Sequence, residues 1–393
     1  MTPAARIDAA IGILDRILSG AAAEQALTGW ARASRFAGSG DRAAVRDLVF
    51  DALRCRRSFT ARAGAATPSG RSLMIGALVA RGSDPGAVFS GQGYAPAALD
   101  ALERAALAAA SAVEALPELV ALDCPDWIAP ALRAALGAEF ANVLGAMRER
   151  APVFLRVNAE RTDRAGARAA LGADGIGAEP VPNLNFALKV TDNTQKIKTS
   201  TAYLDGLVEL QDLSPQAAVE ALPIHPGATV LDYCAGGGGK ALAVAARGAE
   251  VTAYDALPQR MRDLPVRAAR AGARVTIAGP DDLRGRHFDL VLLDVPCSGT
   301  GTWRRTPDAK WTLTAERLAE LARVQAKILD DAAGFVAPKG HLAYMTCSLL
   351  AEENRAQIDG FVSRNPSWRL VRDRLYTALS GGDGFYSALL TRA

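Results

Sequence analysis

The sequence predicts an α/β protein whose C-terminal half forms a doubly wound, Rossmann-like sheet. From about residue 206 onward, short apolar runs alternate with helical segments, as is typical of such a sheet with right-handed crossovers. The strand candidates are Thr229–Tyr233, Glu250–Tyr254, Arg274–Ala278, Leu290–Asp294 and His341–Thr346. The helices between them include residues 315–333. We therefore assign residues 206–393 to one domain.

Two regions with different patterns precede this domain. Residues 1–118 are predicted to be all-helical, because apolar residues recur at helical spacing between glycine or proline breaks. Its apolar faces comprise Ala9, Ile11, Ile13, Leu14, Ile17 and Leu18, and then Val45, Leu48, Val49, Ala52 and Leu53. Residues 119–205 predict a small α+β module. Its helices are expected within 127–147 and 165–171, and its strands at 154–158 and 186–190.

A cluster of basic residues in the helical region allows two interpretations. Arginine suits phosphate contact and base stacking, so the cluster could form an RNA-facing surface. Alternatively, it is a solvated helix face whose charges pair with Asp41, Asp47 and Asp51. The net charge of +3, from 45 basic and 42 acidic residues, does not decide between them. The cluster consists of Arg42, Arg46, Arg54, Arg56 and Arg57.

Composition excludes several classes of protein. Half of the 393 residues are hydrophobic, but no run approaches the ~18 apolar residues that a membrane span needs. The N-terminus lacks the apolar core of a signal peptide, so a soluble, cytoplasmic protein is expected. Five cysteines without a C-x-x-C pair argue against a disulfide framework. The three histidines fit no ligand spacing, and we expect no metal.

A glycine-rich turn follows the first predicted strand of the sheet. Gly236 to Gly239 would let the backbone pass close to a ligand, and Lys240 opens the next helix. The turn matches neither the P-loop nor the dinucleotide pattern. Asp255 ends the next strand, where an acid typically accepts hydrogen bonds from ribose hydroxyls. Asp281 or Asp282, one strand further, could meet an adenine amino group, although each of these acids could instead cap a turn.

Two cysteines lie at predicted strand ends in the C-terminal half. Cys297 follows Asp294-Val295-Pro296, and Cys347 lies in Thr346-Cys347-Ser348. Open α/β sheets bind ligands where their strands end. A thiolate is a strong nucleophile at neutral pH, and its addition to C6 of a pyrimidine makes C5 able to attack an electrophilic methyl group. Asp294 is placed to assist that addition near N3.

The remaining cysteines suggest no chemistry. Cysteine is often a small buried hydrophobe, and this is our interpretation of Cys55, Cys124 and Cys234. The motifs around Cys297 and Cys347 favour a functional role for those two thiols instead.

At these residues the chain resembles the Nol/Nop/Sun family of S-adenosylmethionine-dependent RNA cytosine-C5 methyltransferases. Within the family, the bacterial ribosomal RNA methyltransferases are most similar. The resemblance extends from Gln211 to Arg392, and the module before it, with Leu155-Arg156-Val157-Asn158, resembles the family's RNA-contacting domain. Residues 1–118 resemble more weakly a NusB-like RNA-binding domain. The matching motifs are Gln211-Asp212-Leu213-Ser214, Gly238-Gly239-Lys240, Asp294 to Gly301, Arg304 to Trp311, Gln325 to Leu329, Thr346-Cys347-Ser348, Glu352-Glu353-Asn354 and Gly381 to Tyr386.

The resemblance implies a class I methyltransferase fold and a role for each matched residue. Cys347 would attack C6, Cys297 would promote product release, and Asp294 would hold the cytosine. The implied partner is RNA, most simply small-subunit ribosomal RNA, and the protein is expected to be a monomer. The residues implied to bind S-adenosylmethionine are Cys234, Ala235, Gly236, Gly237, Gly238, Gly239, Lys240, Asp255, Arg260, Asp281 and Asp294.

One departure from the family concerns the cofactor loop. The family pattern is Cys-Ala-Ala-Pro-Gly-Gly-Lys, whereas Gly236 and Gly237 stand here in place of the second Ala and the Pro. Two added glycines raise the entropic cost of ordering the loop, so we expect weakened cofactor binding.

Other functions remain open from the sequence. The same chemistry on transfer RNA is one, and an RNA-binding ribosome assembly factor with little activity is another. An amino-group methyltransferase fits less well, because residues 294–297 lack the Pro-Pro-aromatic motif of that class.

Overall fold

The computed structural model describes residues 1–113 and 115–392. The chain divides into two compact units. The first contains Met1–Arg150 and Trp303–Thr312, and the second contains Ala151–Thr302 and the chain from Leu313 onward. None of the described helices combines the length and apolarity that crossing a membrane requires.

The first unit is helical. Its core is formed by apolar residues of the first, third and fifth helices, including Ile13, Leu53 and Leu73. Side-chain caps begin several helices: Ser69 forms a capping box with Ser72, and Asp100 forms one with Glu103. The helices are α1 Pro3–Leu18, α2 Ala23–Ala33, α3 Ser39–Arg54, α4 Arg56–Arg62, α5 Gly70–Ala80, α6 Pro85–Val88, α7 Ala101–Ser111, α8 Glu118–Ala121, α9 Ala129–Leu136 and α10 Phe140–Ala146.

The second unit opens with a small antiparallel sheet, in the order β2-β3-β1-β4. Leu155, Leu171 and Leu188 lie in its core, which is covered by the longer helix of the module. The prediction missed the short strands β2 and β4. The elements are β1 Phe154–Val157, α11 Arg164–Ala173, β2 Ala178–Pro180, β3 Ala187–Val190, α12 Thr201–Leu204 and β4 Val208–Leu210.

A seven-stranded sheet follows, in the order β10-β11-β9-β8-β5-β6-β7. The five strands from β5 to β9 pair in parallel, and β10 and β11 add an antiparallel edge that was not predicted. The fold is the predicted Rossmann-like α/β fold. Its elements are α13 Leu213–Glu220, β5 Thr229–Asp232, α14 Gly239–Ala245, β6 Glu250–Ala253, α15 Leu264–Ala271, β7 Val275–Ile277, β8 Phe288–Asp294, α16 Pro307–Thr312, α17 Ala315–Ala332, β9 Val336–Thr346, α18 Arg355–Arg364, β10 Trp368–Tyr376 and β11 Phe385–Arg392.

The segment Trp303–Thr312 belongs to the helical unit although it follows β8 in sequence. Lys310 is buried and its Nζ donates to the carbonyl of Arg54 at 2.9 Å, and Trp311 Nε1 donates to the carbonyl of Leu53 at 2.7 Å. Arg54 Nε donates in return to the carbonyl of Arg304 at 2.7 Å. Burial lowers the pKa of Lys310 to about 8. These bonds secure the segment on the end of α3.

The same hydrogen bonds remove part of the basic cluster from the surface. Arg54 is buried and pairs with Asp51, which agrees with the interpretation that these charges are paired. Arg46 pairs with Glu24 and Arg57 with Asp126, both partners that the sequence did not indicate. Arg42 is exposed.

Candidate functional site

The two cysteines of interest lie just beyond the ends of neighbouring parallel strands. Cys297 follows β8 and Cys347 follows β9, and the register pairs Asp294 with Met345. The two Sγ atoms are 3.2 Å apart. The Gly301 amide donates to the carbonyl of Cys347 at 2.9 Å, which ties one cysteine loop to the other. Two thiols from distant parts of the chain therefore meet at one edge of the sheet.

The two thiols differ in their environment. The hydrogen bond with Cys347, and burial, raise the pKa of Cys297 well above its ordinary value. Cys297 therefore stays a protonated thiol at neutral pH. Burial also raises the pKa of Cys55 and Cys124, to about 11 in each case, and that of Cys234 further still. All five cysteines are free thiols.

A close approach of two glycines holds the Cys297 loop against the C-terminal motif. The Gly384 amide donates to the carbonyl of Gly301 at 2.9 Å. A Cβ at Gly301 would lie 2.2 Å from the Gly384 carbonyl oxygen, so no larger residue fits there. Asp383 extends this junction, since its amide donates to Asp212 at 2.8 Å and its carbonyl accepts from Ser214 at 2.6 Å.

Buried polar side chains surround the thiol pair. Glu353 and Gln325 lie behind Cys297, and Asn354 and Thr346 lie behind Cys347. None of these four was assigned a role from the sequence. All four belong to motifs that carried the family resemblance, and that resemblance is the signal that could have pointed to them.

The glycine-rich turn lies beside the thiols, at the carboxyl end of β5. Gly236 and Gly238 adopt positive φ angles of 50° and 81°, which favour glycine. The Gly236 amide donates to Asp255 Oδ2 at 3.0 Å, and the Ala235 amide donates to the carbonyl of Tyr254 at 3.0 Å. The loop is thereby fixed to the end of the next strand, β6.

Asp255 is a buried acid at the end of β6. Besides Gly236, the amide of Leu257 donates to it, at 2.9 Å to Oδ1. Arg260 lies 3.7 Å from its carboxylate. Asp255 therefore serves as a turn cap, and a carboxylate with two lone pairs on each oxygen can accept further hydrogen bonds from a ligand.

Guanidinium groups hold the outer side of the glycine loop. Arg156 of β1 donates to the carbonyl of Gly239 at 2.8 Å and to Gln211 Oε1 at 2.5 Å. Arg267 of α15 donates to the carbonyl of Gly237 and pairs with the buried Glu209 at 3.1 Å. Burial lowers the pKa of Arg156 to about 10, so it remains charged at neutral pH. These hydrogen bonds order a loop that its glycines would otherwise loosen.

Asp232 is a buried acid that sequence reasoning did not single out. It ends β5 directly before the loop, and neither of its carboxylate oxygens has a hydrogen-bond partner. Burial, with the nearby charge of Asp294, raises the pKa of Asp232 to about 7. A buried carboxylate without a partner is costly, and a cationic ligand group would relieve that cost.

The other acids at strand ends are more exposed. Asp294 ends β8 and pairs with Lys240, with 2.5 Å between Oδ2 and Nζ. Asp281 is largely exposed and pairs with Arg284 at 2.9 Å. Asp282 accepts from the Gly279 amide at 2.8 Å and acts as a cap. Among the described residues, no cluster of three His, Cys, Asp or Glu side chains could hold a metal ion.

Comparison with known proteins gives two matches to family models. Residues 219–389 match the model described as 16S rRNA methyltransferase RsmB/F, and residues 124–197 match the ferredoxin-like domain of RsmF/B-like methyltransferases. The chain belongs to the RsmB/F methyltransferase family. The family assigned from the sequence motifs is thereby confirmed.

Curated members of the family align over much of the chain. The ribosomal RNA small subunit methyltransferase B of Photorhabdus laumondii is 32% identical over 284 residues, and that of Salmonella arizonae is 34% identical over 287 residues. In both cases the alignment covers 68% of this chain and 66% of the relative, just under two thirds of its length.

Solved structures share the fold. The crystal structure of PH0851 has a TM-score of 0.77 at 22% identity, and the match covers 100% of this chain and 99% of that one. A methyltransferase homologue from Pyrococcus horikoshii has a TM-score of 0.62 at 23% identity, covering 70% of this chain and 98% of its own. NSun6 from Pyrococcus horikoshii, solved with SFG, has a TM-score of 0.61 at 17% identity, with 68% and 98% covered.

Proposed function

We propose that this protein transfers a methyl group from S-adenosylmethionine to C5 of a cytosine in RNA, through a covalent adduct between Cys347 and C6. The observation that carries the proposal is the thiol pair, with 3.2 Å between the Sγ atoms of Cys297 and Cys347. A single nucleophilic cysteine would need no second thiol at this distance. A reaction that forms and then releases a covalent adduct gives each thiol a role, one in attack and the other in release.

The residues around the glycine loop fit S-adenosylmethionine. Asp232 offers an unpartnered buried carboxylate to an ammonium group, and Asp255 offers lone pairs to ribose hydroxyls. The open space above Gly236, where a Cβ would meet nothing within 4 Å, leaves room for a ligand against the backbone. When bound, the cofactor supplies the electrophilic methyl group that the activated C5 takes.

The chemistry assigned to the chain begins with addition. The Cys347 thiolate forms a bond to C6, the C5–C6 double bond opens, and N3 takes up a proton beside Asp294. C5 becomes nucleophilic and gains the methyl group. A base then removes the C5 proton, the C6–sulfur bond breaks, and its electron pair returns to sulfur as the double bond re-forms. N3 gives up the proton that it gained in the addition.

Product release is the role that we assign to Cys297. Its raised pKa keeps it protonated, and it lies within hydrogen-bonding distance of the Cys347 sulfur. It is therefore suited to donate a proton to the departing Cys347 sulfur. A thiol that stays protonated is a poor nucleophile, which supports Cys347 as the attacking group.

The proposed substrate is small-subunit ribosomal RNA. The family model and both curated relatives carry ribosomal RNA methyltransferase names, which supports this RNA over transfer RNA. An unpaired cytosine is the simplest target, because extruding a base from a stack costs only about a few kcal/mol and least where it is unpaired.

Tritium release tests the proposed reaction. Small-subunit ribosomal RNA and transfer RNA, each labelled with tritium at cytosine C5, are incubated with the protein and S-adenosylmethionine. Methylation at C5 must release one tritium for each methyl group gained, and we expect this with the ribosomal RNA. Methyl incorporation without tritium release would place the methyl group on another atom. A protein that binds both ligands but transfers nothing would be an assembly factor.

A further inference from the structure

Glu353 and Asn354 are consecutive residues that reach the two cysteine loops separately. They lie between β9 and α18, and both side chains are buried. Tyr344 Oη donates to the carbonyl of Glu353 at 2.6 Å and so fixes this point of the backbone to β9. One short stretch of chain is thus in contact with both halves of the thiol pair.

Glu353 holds the residues on both sides of Cys297. Its Oε1 accepts from the Ser298 amide at 2.8 Å, and its Oε2 accepts from the Ser298 hydroxyl. Oε1 also accepts from Gln325 Nε2 at 2.9 Å, and the same nitrogen donates to the carbonyl of Pro296 at 2.9 Å. Because Glu353 and Gln325 are fully buried, water cannot replace these bonds.

Asn354 holds the residues on both sides of Cys347. Its Oδ1 accepts from the Thr346 hydroxyl at 2.5 Å, and its Nδ2 donates to the carbonyl of Ser348 at 2.9 Å. Thr346 and Ser348 are both fully buried. The residues immediately before and after each cysteine are therefore held, by Glu353 together with Gln325 in one case and by Asn354 in the other.

We propose that Glu353 and Asn354 are positioning residues that set the separation of the two thiols, Glu353 through the Cys297 loop and Asn354 through the Cys347 loop. Neither side chain bonds to a thiol itself. The catalytic consequence rests on the proposed function: loosening the Cys297 loop impairs release, whereas loosening the Cys347 loop impairs attack. The two neighbours should therefore give opposite phenotypes.

A first measurement reports the thiol separation without RNA or cofactor. Diamide takes one hydrogen from each thiol, its N=N bond becomes the hydrazine, and a Cys297–Cys347 disulfide forms. Counting thiols in denaturant then follows the loss of two of the five cysteines. We expect Glu353→Ala and Asn354→Ala to slow this loss about 10- to 100-fold, the usual scale for displaced reacting groups. Cys297→Ala is the blank, because it lacks one of the two thiols.

Glu352→Ala is the matched control for both variants. It removes the same type of side chain as Glu353→Ala from the adjacent, exposed position. It should cross-link at the wild-type rate. Glu353→Gln keeps one acceptor oxygen toward Ser298 and Gln325, so it should recover much of the rate that Glu353→Ala loses.

A second measurement separates the two roles. With RNA and S-adenosylmethionine, Glu353→Ala should accumulate the covalent protein–RNA adduct, as is also expected of Cys297→Ala. Asn354→Ala should form adduct about 10- to 100-fold more slowly and accumulate none. A defect in overall stability would reduce both signals in both variants, so the opposite accumulation is specific to positioning.

The outcomes distinguish this proposal from the proposed function. Slower cross-linking in both variants, in a protein that never methylates RNA, would support positioning and remove the methyltransferase chemistry. Wild-type cross-linking in both variants, in a protein that does methylate RNA, would overturn positioning alone. If either variant fails to fold, Ser298→Ala and Thr346→Val replace it, because each removes the hydroxyl that donates to Glu353 or Asn354 and leaves those two side chains in place. Wild-type behaviour of that pair would equally overturn the proposal.

Discussion

Lys240 and Asp294 form an ion pair that joins the cofactor loop to the strand carrying the first cysteine, with 2.5 Å between Nζ and Oδ2. Lys240 lies at the start of α14 and Asp294 at the end of β8. Asp294 therefore has a charged partner on the side of the glycine loop, and its side chain remains partly exposed. Because Lys240 holds the Asp294 carboxylate in one orientation, the arrangement suits an acid that must contact a cytosine.

The first prediction concerns Asp294→Asn. We expect kcat to fall about 10²- to 10⁴-fold, the usual contribution of a positioned acid or base, because proton uptake at N3 loses its support. The KM for S-adenosylmethionine should change much less. Steady-state methylation assays give both values. Asp331→Asn, which removes an exposed acid paired with Lys327, is the control and should match the wild type. A larger effect on KM than on kcat would reassign Asp294 to cofactor binding alone.

The second prediction compares the two unusual glycines of the cofactor loop. Gly236→Ala should weaken S-adenosylmethionine binding by about 1 kcal/mol, because its φ of 50° strains any residue with a Cβ. Gly237→Ala should instead strengthen it by about 0.4–1 kcal/mol, because a compatible backbone angle is then pre-ordered. A Cβ at Gly237 would lie 3.1 Å from Arg267 Nη1, so Arg267 must move by a few tenths of an ångström while it keeps its bond to the Gly237 carbonyl. Isothermal titration decides, and equal effects at both positions would contradict the interpretation.

The third prediction is a pH dependence that arises from Asp232. Its pKa is raised to about 7, so below that pH the carboxyl is protonated and neutral. An ammonium group prefers the ionised form, so affinity for S-adenosylmethionine should fall about tenfold for each pH unit below about 7. Asp232→Asn should bind weakly at every pH and lack this slope. A wild-type affinity that is constant from pH 5.5 to 7.5 would remove Asp232 from the site.

The same carboxyl predicts the opposite trend for the stability of the free protein. Between about pH 4 and 7 the folded state keeps a proton that the unfolded state has released. The free energy of unfolding should therefore decrease as pH rises through this window and level off above it. Denaturant titrations of the wild type and Asp232→Asn isolate this contribution.

The fourth prediction tests RNA binding by the helical unit. The double variant Arg42→Ala/Arg46→Ala should lower RNA affinity. It should also flatten the plot of log binding constant against log salt concentration, by about 0.7–0.9 in slope for each phosphate that the variant no longer neutralises. Arg54 is left unchanged because it is buried. Arg317→Ala/Arg323→Ala on α17 is the matched control, since Arg317 pairs with Glu320 much as Arg46 pairs with Glu24. Equal binding by all three proteins at every salt concentration would show that Arg42 and Arg46 do not bind RNA.

Removing residues 1–118 is a poorer test of the same question. The seven-stranded sheet has its own core, which favours folding of this part of the chain without them. However, the carbonyls of Leu53 and Arg54 accept from Trp311 and Lys310. A truncated chain would leave the buried Lys310 and the half-buried Trp311 without these acceptors, so incomplete folding would also weaken binding.

The fold could be predicted where the pattern of apolar residues in the sequence was clear. Strands β5, β6 and β8 are buried in the middle of the sheet and read as short apolar runs between turns. Strand β10 was missed because Trp368–Tyr376 contains three arginines and buries only its two end residues, so it shows no continuous apolar run. The neighbouring strand β11 was not predicted either, and only the motif from Gly381 to Tyr386 at its start was identified from the sequence.

The candidate site was predictable in part for a geometric reason. The carboxyl ends of parallel strands share one edge, so polar residues after β5, β6, β8 and β9 were bound to be neighbours. The buried side chains that hold the two cysteine loops were not predictable in this way. Glu353 acts on Ser298, 55 residues away, and the sequence does not show which of Glu352 and Glu353 is buried. Asp232 likewise looks like an ordinary strand-end acid until its burial is known.

The most direct test of the central claim is a denaturing gel of two variants with RNA and S-adenosylmethionine. Cys297→Ala should still permit attack by Cys347 and methyl transfer, but release should stall, leaving a covalent protein–RNA band. Cys347→Ala should give no band, and the double variant should give none either. A band in Cys347→Ala and not in Cys297→Ala would contradict the account, because it would make Cys297 the nucleophile.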